Sequence, residues 1–334
     1  MNRISGGQFA ALLLTGDAFA VLCIMGNISV MTSCGFVVGI VIQFLLALPA
    51  AYYYKNGGTL KNAAKPFMWF YLAYIILWGG LLFVMLWNAA EAISIPSENF
   101  SFIPENLLIP GLIAAVCLYA SSPGAKALAR ASVITAVLGA LCLIIVIISA
   151  FMKGSMEYLT EIPGYNSFFD ELSRGFVLSG GLGSFIVFLG YTKGDPVKYA
   201  AGYFAGKAIL FTSIPLMAVA AAGGIMKIAD FPVITAAQLS QPFSSQRIDS
   251  LFLIIFVILA VFAVSVQTVT ASFMLSGIFP GFKKFRSTFV LALMIGVSFL
   301  LSGIYQYSLI YCIAVLTALI AVPLIMTFFR KAER

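Results

Sequence analysis

Residues 8–27 read QFAALLLTGDAFAVLCIMGN, an apolar stretch with Thr15-Gly16-Asp17 near its middle. A membrane-spanning helix needs about 20 mostly apolar residues, so this stretch is long enough to cross a bilayer. A carboxylate at that depth is costly, and an interrupted helix is tolerated only against protein or a water-filled cavity. The sequence therefore predicts a first span that is broken at Thr15-Gly16-Asp17.

A second apolar stretch, residues 175–192, contains Ser179-Gly180-Gly181-Leu182-Gly183-Ser184. This stretch is the sixth span when the spans are counted along the chain. Breaks at corresponding positions in two halves of a chain are typical of transporters built from inverted repeats, which bind their substrate near the membrane midplane. Close helix packing through small residues is the alternative explanation of these glycines.

The whole chain, residues 1–334, is predicted to form a single transmembrane permease domain. The predicted spans are 8–27, 30–53, 67–91, 106–121, 131–152, 175–192, 199–226, 249–276, 287–304 and 307–329. Repeat one would cover about 8–152 and repeat two about 175–329. The expected fold class is an all-α integral membrane protein of ten transmembrane helices in a five-plus-five inverted repeat, with the first and sixth helices broken.

Composition excludes several classes of protein. Hydrophobic residues make up 62% of the chain and charged residues 9%, whereas a soluble domain carries roughly 25% charge. The net charge is +7 without a basic tract, so no nucleic acid partner is expected. Histidine is absent, and the spans contain no carboxylate pair, Cys/His pair or nucleophile motif. Neither a catalytic residue nor a metal site is therefore predicted. The chain is not expected to be an enzyme.

The basic residues orient the predicted spans. With a cytoplasmic N-terminus, most of the 19 lysines and arginines fall in the inside segments, and most acidic residues fall outside. This distribution follows the positive-inside rule. Both termini are therefore predicted to be cytoplasmic.

Asp17 is the one acidic residue near the centre of a predicted span. Its carboxylate could bind a cation or the ammonium of an amine, carry a proton, or serve as the structural partner of a buried lysine. Lys207 lies near the cytoplasmic end of the seventh span, so its ammonium is expected to extend to the membrane surface, and a pairing with Asp17 is the less favoured interpretation. The predicted ligand-binding residues are Thr15, Gly16, Asp17, Ser179, Gly180, Gly181 and Gly183.

Hydroxyl groups follow one face of the eighth span. Ser265, Thr268 and Ser272 have the spacing i, i+3, i+7 of a helix face. They could complete a sodium site with carbonyl oxygens of a broken first helix, or make ordinary interhelical hydrogen bonds, which is the favoured interpretation. No cofactor is expected, and a sodium ion at these hydroxyls is the sole candidate. Gln43 and Asn88 are further buried polar candidates, and ordinary interhelical hydrogen bonding is the alternative for both.

Two other segments carry a family resemblance. Phe231-Pro232-Val233 is followed by a polar stretch and by Arg247-Ile248-Asp249-Ser250, which opens the eighth span, and Ile4-Ser5-x-x-Gln8 enters the first. These segments resemble the spore-germination permeases, the permease-like B subunits of nutrient germinant receptors in endospore-forming bacteria. Arg247 and Asp249 match the family's Arg-apolar-Asp signature. We interpret that signature as structural, because a carboxylate in the first turn of a helix caps its free amides.

The resemblance implies a member of the amino acid–polyamine–organocation superfamily with a LeuT-type fold. A nutrient such as an amino acid would bind between helices one, three, six and eight. The implied partners are the lipid bilayer and other germinant-receptor subunits, and the implied location is the spore inner membrane or the cell membrane. Two functions follow: a nutrient-sensing subunit of a germinant receptor, or a secondary amino acid transporter coupled to sodium or protons.

The predicted orientation can be tested by cysteine labelling. In a chain whose five native cysteines are replaced by serine, Glu98→Cys, Glu161→Cys and Lys227→Cys should react with a membrane-impermeant maleimide added outside cells. Lys61→Cys should react only after the membrane is permeabilised. Labelling of position 61 from outside, together with protection of position 161, would contradict the orientation.

Overall fold

The computed structural model describes residues 4–26, 28–56, 65–93, 105–160, 182–223, 229–239, 249–279, 281 and 285–305. These ranges contain ten α-helices and a 3-10 helix at Met156–Thr160, between α5 and α6. The α-helices are α1 Gly6–Leu22, α2 Val30–Lys55, α3 Lys65–Ile93, α4 Glu105–Ser121, α5 Ala125–Lys153, α6 Leu182–Leu189, α7 Pro196–Ala222, α8 Pro232–Leu239, α9 Asp249–Ile278 and α10 Arg286–Tyr305.

Most helices lie on predicted spans, although α1 ends at Leu22 and not at 27, and α5 begins at Ala125 and not at 131. Helices α1 to α7, α9 and α10 lie on the first nine predicted spans, and the short α8 lies between the seventh and the eighth. Within the described residues, five helices are long and apolar enough to cross a membrane, namely α2, α3, α5, α7 and α9. The tenth predicted span, 307–329, lies outside the described residues, so the count of ten spans and the inverted repeat stay predictions.

The first helix begins at a capping box. The Ser5 hydroxyl accepts a hydrogen bond from the Gln8 amide at 3.3 Å, and the Gln8 side chain accepts one from the Ser5 amide at 3.2 Å. Just before this cap, the Ile4 amide donates to the Tyr191 carbonyl at 3.1 Å and the Ile4 carbonyl accepts from the Lys193 amide at 3.0 Å. These two bonds, called the Ile4 clasp below, join the start of α1 to the turn between α6 and α7.

The predicted break in the first span is wrong. Helix α1 continues through Thr15, Gly16 and Asp17 to Leu22. The Thr15 hydroxyl donates to the carbonyls of Ala11 and Leu12 at 2.8 and 3.0 Å, so it needs no unwound backbone. Gly16 faces α9, and a Cβ at this position would lie 3.7 Å from the Cα of Ala263, which is an ordinary van der Waals distance, so an alanine would also fit there. The charge of Asp17 is satisfied by another helix, as described below.

The predicted break in the sixth span is only partly covered by the structure. Ser179, Gly180 and Gly181 lie outside the described residues. Leu182, Gly183 and Ser184 are helical and form the first turn of α6. A Cβ at Gly183 would lie 2.7 Å from Cε1 of Tyr74 and 3.1 Å from Cγ1 of Ile75 in α3. At Gly183 the alternative explanation, close helix packing, is therefore the one observed.

Helix α1 lies at the centre of the described bundle. It packs against α5, α7 and α9, while α2 packs along α7 and α3 packs between α9 and α10. Its apolar side chains are distributed around the whole helix, which is typical of a buried helix, and Phe9 and Phe19 are fully buried. Large apolar side chains on α5, such as Val137 and Leu141, are instead more than half exposed and face outward, as expected for a lipid-facing helix.

Close packing of α3 on α10 predicts a large effect of a small change. A Cβ at Gly80 would lie 2.7 Å from Cγ1 of Val297 and 3.3 Å from the Met294 carbonyl oxygen. Gly80→Ala should lower the free energy of unfolding by about 1–3 kcal/mol, because the stiff valine and the backbone cannot give way. Thermal unfolding of the detergent-solubilised protein measures this loss. Gly139→Ala in α5 is the matched control, since nothing lies within 4 Å of its Cβ position, and an equal loss in both variants would contradict the packing argument.

Candidate functional site

An ion pair lies inside the apolar bundle. The Lys207 Nζ atom of α7 is 3.4 Å from the Asp17 Oδ2 atom of α1, and the two side chains are 0% and 8% exposed. A single charge inside a membrane costs several kcal/mol, whereas a close opposite charge offsets much of that cost. The expectation that Lys207 extends to the membrane surface is wrong, because its ammonium has a buried anionic partner in α1. The less favoured interpretation, pairing with Asp17, is confirmed.

Two uncharged side chains complete the network. The Tyr203 hydroxyl donates to Asp17 Oδ2 and accepts from Lys207 Nζ at 3.4 Å. The Gln43 Oε1 atom of α2 accepts from Lys207 Nζ at 3.3 Å. An ammonium carries three hydrogens, and three oxygen atoms, from Asp17, Tyr203 and Gln43, lie within reach of them. The network thus connects α1, α2 and α7.

Aromatic rings surround this network. The Tyr203 ring stacks on Phe185 of α6, with centroids 5.1 Å apart, and Phe185 lies 5.6 Å from Phe9 of α1. The Lys207 Nζ atom lies 5.3 Å from the centre of the Phe211 ring, close enough for a cation–π contact. Because these rings exclude water, the charges and hydrogen bonds of the network interact more strongly than they would at a surface.

A second buried polar contact joins α6 to α9. The Ser184 hydroxyl donates to the Gln267 Oε1 atom at 2.7 Å, and both side chains are buried. Ser184 is the last residue of the predicted sixth-span break, and the structure uses its hydroxyl to hold α6 to a neighbouring helix. Helix α6 therefore takes part in both arrangements. Its Ser184 bonds Gln267 of α9, and its Phe185 ring stacks on Tyr203 of the Asp17–Lys207 network.

The predicted hydroxyl row on α9 is divided among different neighbours. Thr268 donates to the Val264 carbonyl of its own helix at 2.9 Å. The Ser272 and Ser287 hydroxyls are 3.4 Å apart and connect α9 to α10. Ser265 is fully buried beside Cys117 of α4. Interhelical hydrogen bonding, the favoured interpretation, describes Ser272, and the sodium ion stays a prediction. The described residues include no group of three or more His, Cys, Asp or Glu side chains placed to hold a metal ion.

The family signature is only half within the structure. Arg247 lies outside the described residues. Asp249 is the first residue of α9, which is the position expected for a residue that caps the eighth predicted span. Its capping role stays a prediction.

Tyr203 is the network residue that the sequence analysis missed. A tyrosine in an apolar helix resembles an ordinary core residue, and Asp17 lies 186 positions away in the sequence. One local signal was available: Tyr203 precedes Lys207 by one helical turn, so the two side chains share a face of α7.

Solved structures show the same fold. No family model matches the chain, and no curated relative matches it. One match is Mhp1, a nucleobase-cation-symport-1 family transporter, in a closed conformation with bromovinylhydantoin bound. The match has a TM-score of 0.65 and 16% sequence identity, and it covers 97% of this chain and 78% of the Mhp1 chain. The fold is similar to that of Mhp1. An inward-facing conformation of Mhp1 matches with a TM-score of 0.59 and 15% identity, over 97% of this chain and 76% of that one.

This likeness supports the expected LeuT-type fold, and the long apolar helices of the described residues support a multi-pass membrane protein. It does not extend to the spore-germination permeases, and their resemblance to this chain still depends on the sequence segments alone.

The ion pair predicts strong coupling between its partners. Asp17→Asn and Lys207→Met should each lower the free energy of unfolding by about 3–5 kcal/mol, because each leaves the other charge buried and unpaired. The double variant should lose much less than the sum, which chemical unfolding in detergent micelles would measure. Additive losses would contradict a direct pair.

An exposed ion pair provides the control for these variants. Lys55 Nζ lies 3.9 Å from Asp195 Oδ2, with the side chains 52% and 47% exposed. Lys55→Met removes the same charge as Lys207→Met but should cost less than about 1 kcal/mol, since water already solvates both groups.

Proposed function

We propose that this protein is a secondary active transporter that moves a small zwitterion, such as an amino acid, across a membrane. The buried Asp17–Lys207 pair is the observation that carries the proposal. Apolar side chains of similar volume would stabilise a bundle as well as a buried ion pair does, so a pair retained inside a membrane protein indicates a function. The fold shared with a transporter supports the same proposal.

The chemistry of the pair matches a zwitterion. The ammonium of an amino acid would take the Asp17 carboxylate as its partner, and its carboxylate would take the Lys207 ammonium and the Tyr203 hydroxyl. One internal ion pair is thereby exchanged for two pairs with the substrate, and the site has no net charge before or after binding. A solute with a single charge would leave one buried group unpaired, which is costly.

We propose protons as the coupling ion. The Lys207 ammonium already lies beside the Asp17 carboxylate, where a sodium ion would otherwise bind. Uptake of one proton from water by Asp17 would neutralise its carboxylate and remove its attraction for the Lys207 ammonium, which keeps the oxygens of Tyr203 and Gln43 as hydrogen-bond acceptors. This step would allow α1 and α7 to move apart during transport, and release of the proton on the other side of the membrane would restore the ion pair.

Uptake into proteoliposomes tests this function. Protein reconstituted into vesicles is given radiolabelled L-amino acids one at a time, with an inward proton gradient or an inward sodium gradient. We expect the proton gradient to drive accumulation of at least one amino acid. Asp17→Asn should reduce that uptake at least about tenfold per folded protein, the equivalent of 1.4 kcal/mol, and Lys55→Met should transport normally.

A milder variant separates function from folding. Tyr203→Phe keeps the ring that stacks on Phe185 and keeps the ion pair, but removes the hydroxyl that bonds Asp17. It should fold and yet show a raised KM for the amino acid. If the sodium gradient alone drives accumulation, the coupling ion is sodium and not the proton. If the protein binds an amino acid without taking it up, the result favours a nutrient sensor over a transporter. Normal uptake by folded Asp17→Asn would reject the site.

A further inference from the structure

A cavity with both polar and apolar walls lies at one end of the bundle, on residues separate from the Asp17–Lys207 network. It has a volume of about 500 Å³ and is formed by the end of α4, the start of α5, the end of α9 and the start of α10. Four apolar residues, Leu118, Ala125, Val269 and Phe273, form part of its wall. Most of the remaining wall carries hydroxyl groups or positive charge, from Ser121, Ser122, Ser272, Ser276, Arg286, Ser287 and Thr288.

Hydrogen-bond donors are concentrated where α10 begins. Arg286 is the first residue of this helix, and the first described helical bond there joins the Phe289 amide to the Phe285 carbonyl. The amides of the first turn, from Arg286 to Thr288, therefore have no partner within the helix. A guanidinium supplies five N–H donors in a fork that matches two oxygens of a phosphate. The Ser272 hydroxyl donates its hydrogen to the Ser287 oxygen, so the Ser287 hydroxyl still has its own hydrogen to donate.

Hydrogen-bond acceptors come from the other lining hydroxyls. Ser121 donates to the Leu118 carbonyl at 3.0 Å, Ser122 to the Tyr119 carbonyl at 2.8 Å, and Ser276 to the Phe273 carbonyl at 2.6 Å. Because each of these hydroxyls already uses its hydrogen, it presents lone pairs to the cavity. Lone pairs bind donors, such as the hydroxyl groups of a polyol, and not the oxygens of an anion.

Exposed aromatic side chains next to the cavity are consistent with a mouth at the membrane–water interface. Tyr119, Phe285 and Phe289 are next to lining residues in the sequence and are 81%, 65% and 46% exposed. Exposed aromatic side chains at the ends of membrane helices are typical of the interfacial layer. Lipid phosphates lie in that layer, and basic pockets between helix ends bind anionic headgroups.

We propose that this cavity binds a phosphate group that carries a hydroxylated substituent. Arg286 and the first turn of α10 hold the phosphate oxygens, and Ser121, Ser122 and Ser276 accept hydrogen bonds from the hydroxyls. The chemistry is shared by the headgroup of phosphatidylglycerol and by free glycerol phosphate. The site is independent of the transport function proposed above.

Ligand-dependent thermal unfolding of the delipidated full chain in detergent tests the proposal. The probes are phosphatidylglycerol, phosphatidylcholine and glycerol 1-phosphate. We expect phosphatidylglycerol to raise Tm more than phosphatidylcholine, and Arg286→Gln to weaken its apparent affinity about tenfold or more, because a charged bidentate contact is lost. Arg130→Gln is the matched control, since Arg130 is exposed on α5 and does not line the cavity.

A second variant covers the case in which Arg286→Gln does not fold. Ser287→Ala removes a donor at the same turn and should weaken the same response while Arg130→Gln retains it. An equal response to glycerol 1-phosphate identifies the free compound as a ligand, and a response to the lipid alone identifies the headgroup. The proposal would be overturned if phosphatidylglycerol and phosphatidylcholine raised Tm equally. It would also be overturned if folded Arg286→Gln and Ser287→Ala kept an unchanged affinity for phosphatidylglycerol.

Discussion

The bond between Asp17 and Lys207 constrains the rest of the bundle. A carboxylate and an ammonium inside an apolar environment must remain within a few ångströms of each other, and these two belong to α1 and α7, which are far apart in the sequence. The Gln43 oxygen adds α2 to the same point. The central position of α1 and the packing of α2 along α7 are both consistent with this single requirement.

The pair also explains why α1 is a continuous helix. A broken helix at Thr15-Gly16-Asp17 would satisfy the Asp17 carboxylate with free backbone amides. Here Tyr203 and Lys207 supply those donors from α7, so the backbone of α1 keeps its own hydrogen bonds. Thr15 then has a local explanation in the carbonyls of the preceding turn, whereas Gly16 is in ordinary contact with α9 and is not required there by packing.

Hydropathy located most of the described helices because a bilayer imposes a length and a composition on each helix that crosses it. The ends of α4 and the start of α9 at Asp249 match the sequence within one residue. The candidate site was harder to predict, since Asp17 was recognisable by its unusual depth but its partners come from distant parts of the chain. Lys207 was identified as a charged residue in a span, yet its distance from the membrane surface depends on tertiary packing. Gly183 has the same limitation, because only the position of Tyr74 shows which neighbour the missing side chain would strike.

The Ile4 clasp has a consequence for how this fold persists during divergence. Both of its hydrogen bonds join main-chain atoms, so they place no requirement on the identity of the side chains at Ile4, Tyr191 or Lys193, apart from excluding proline where an amide must donate. Mutation can change these residues and leave the link between α1 and the α6–α7 turn intact, provided that the buried site of Ile4 keeps an apolar side chain. Contacts of this kind leave no trace in an amino-acid comparison, and a helix arrangement held by them can outlast the similarity of the sequences that form it.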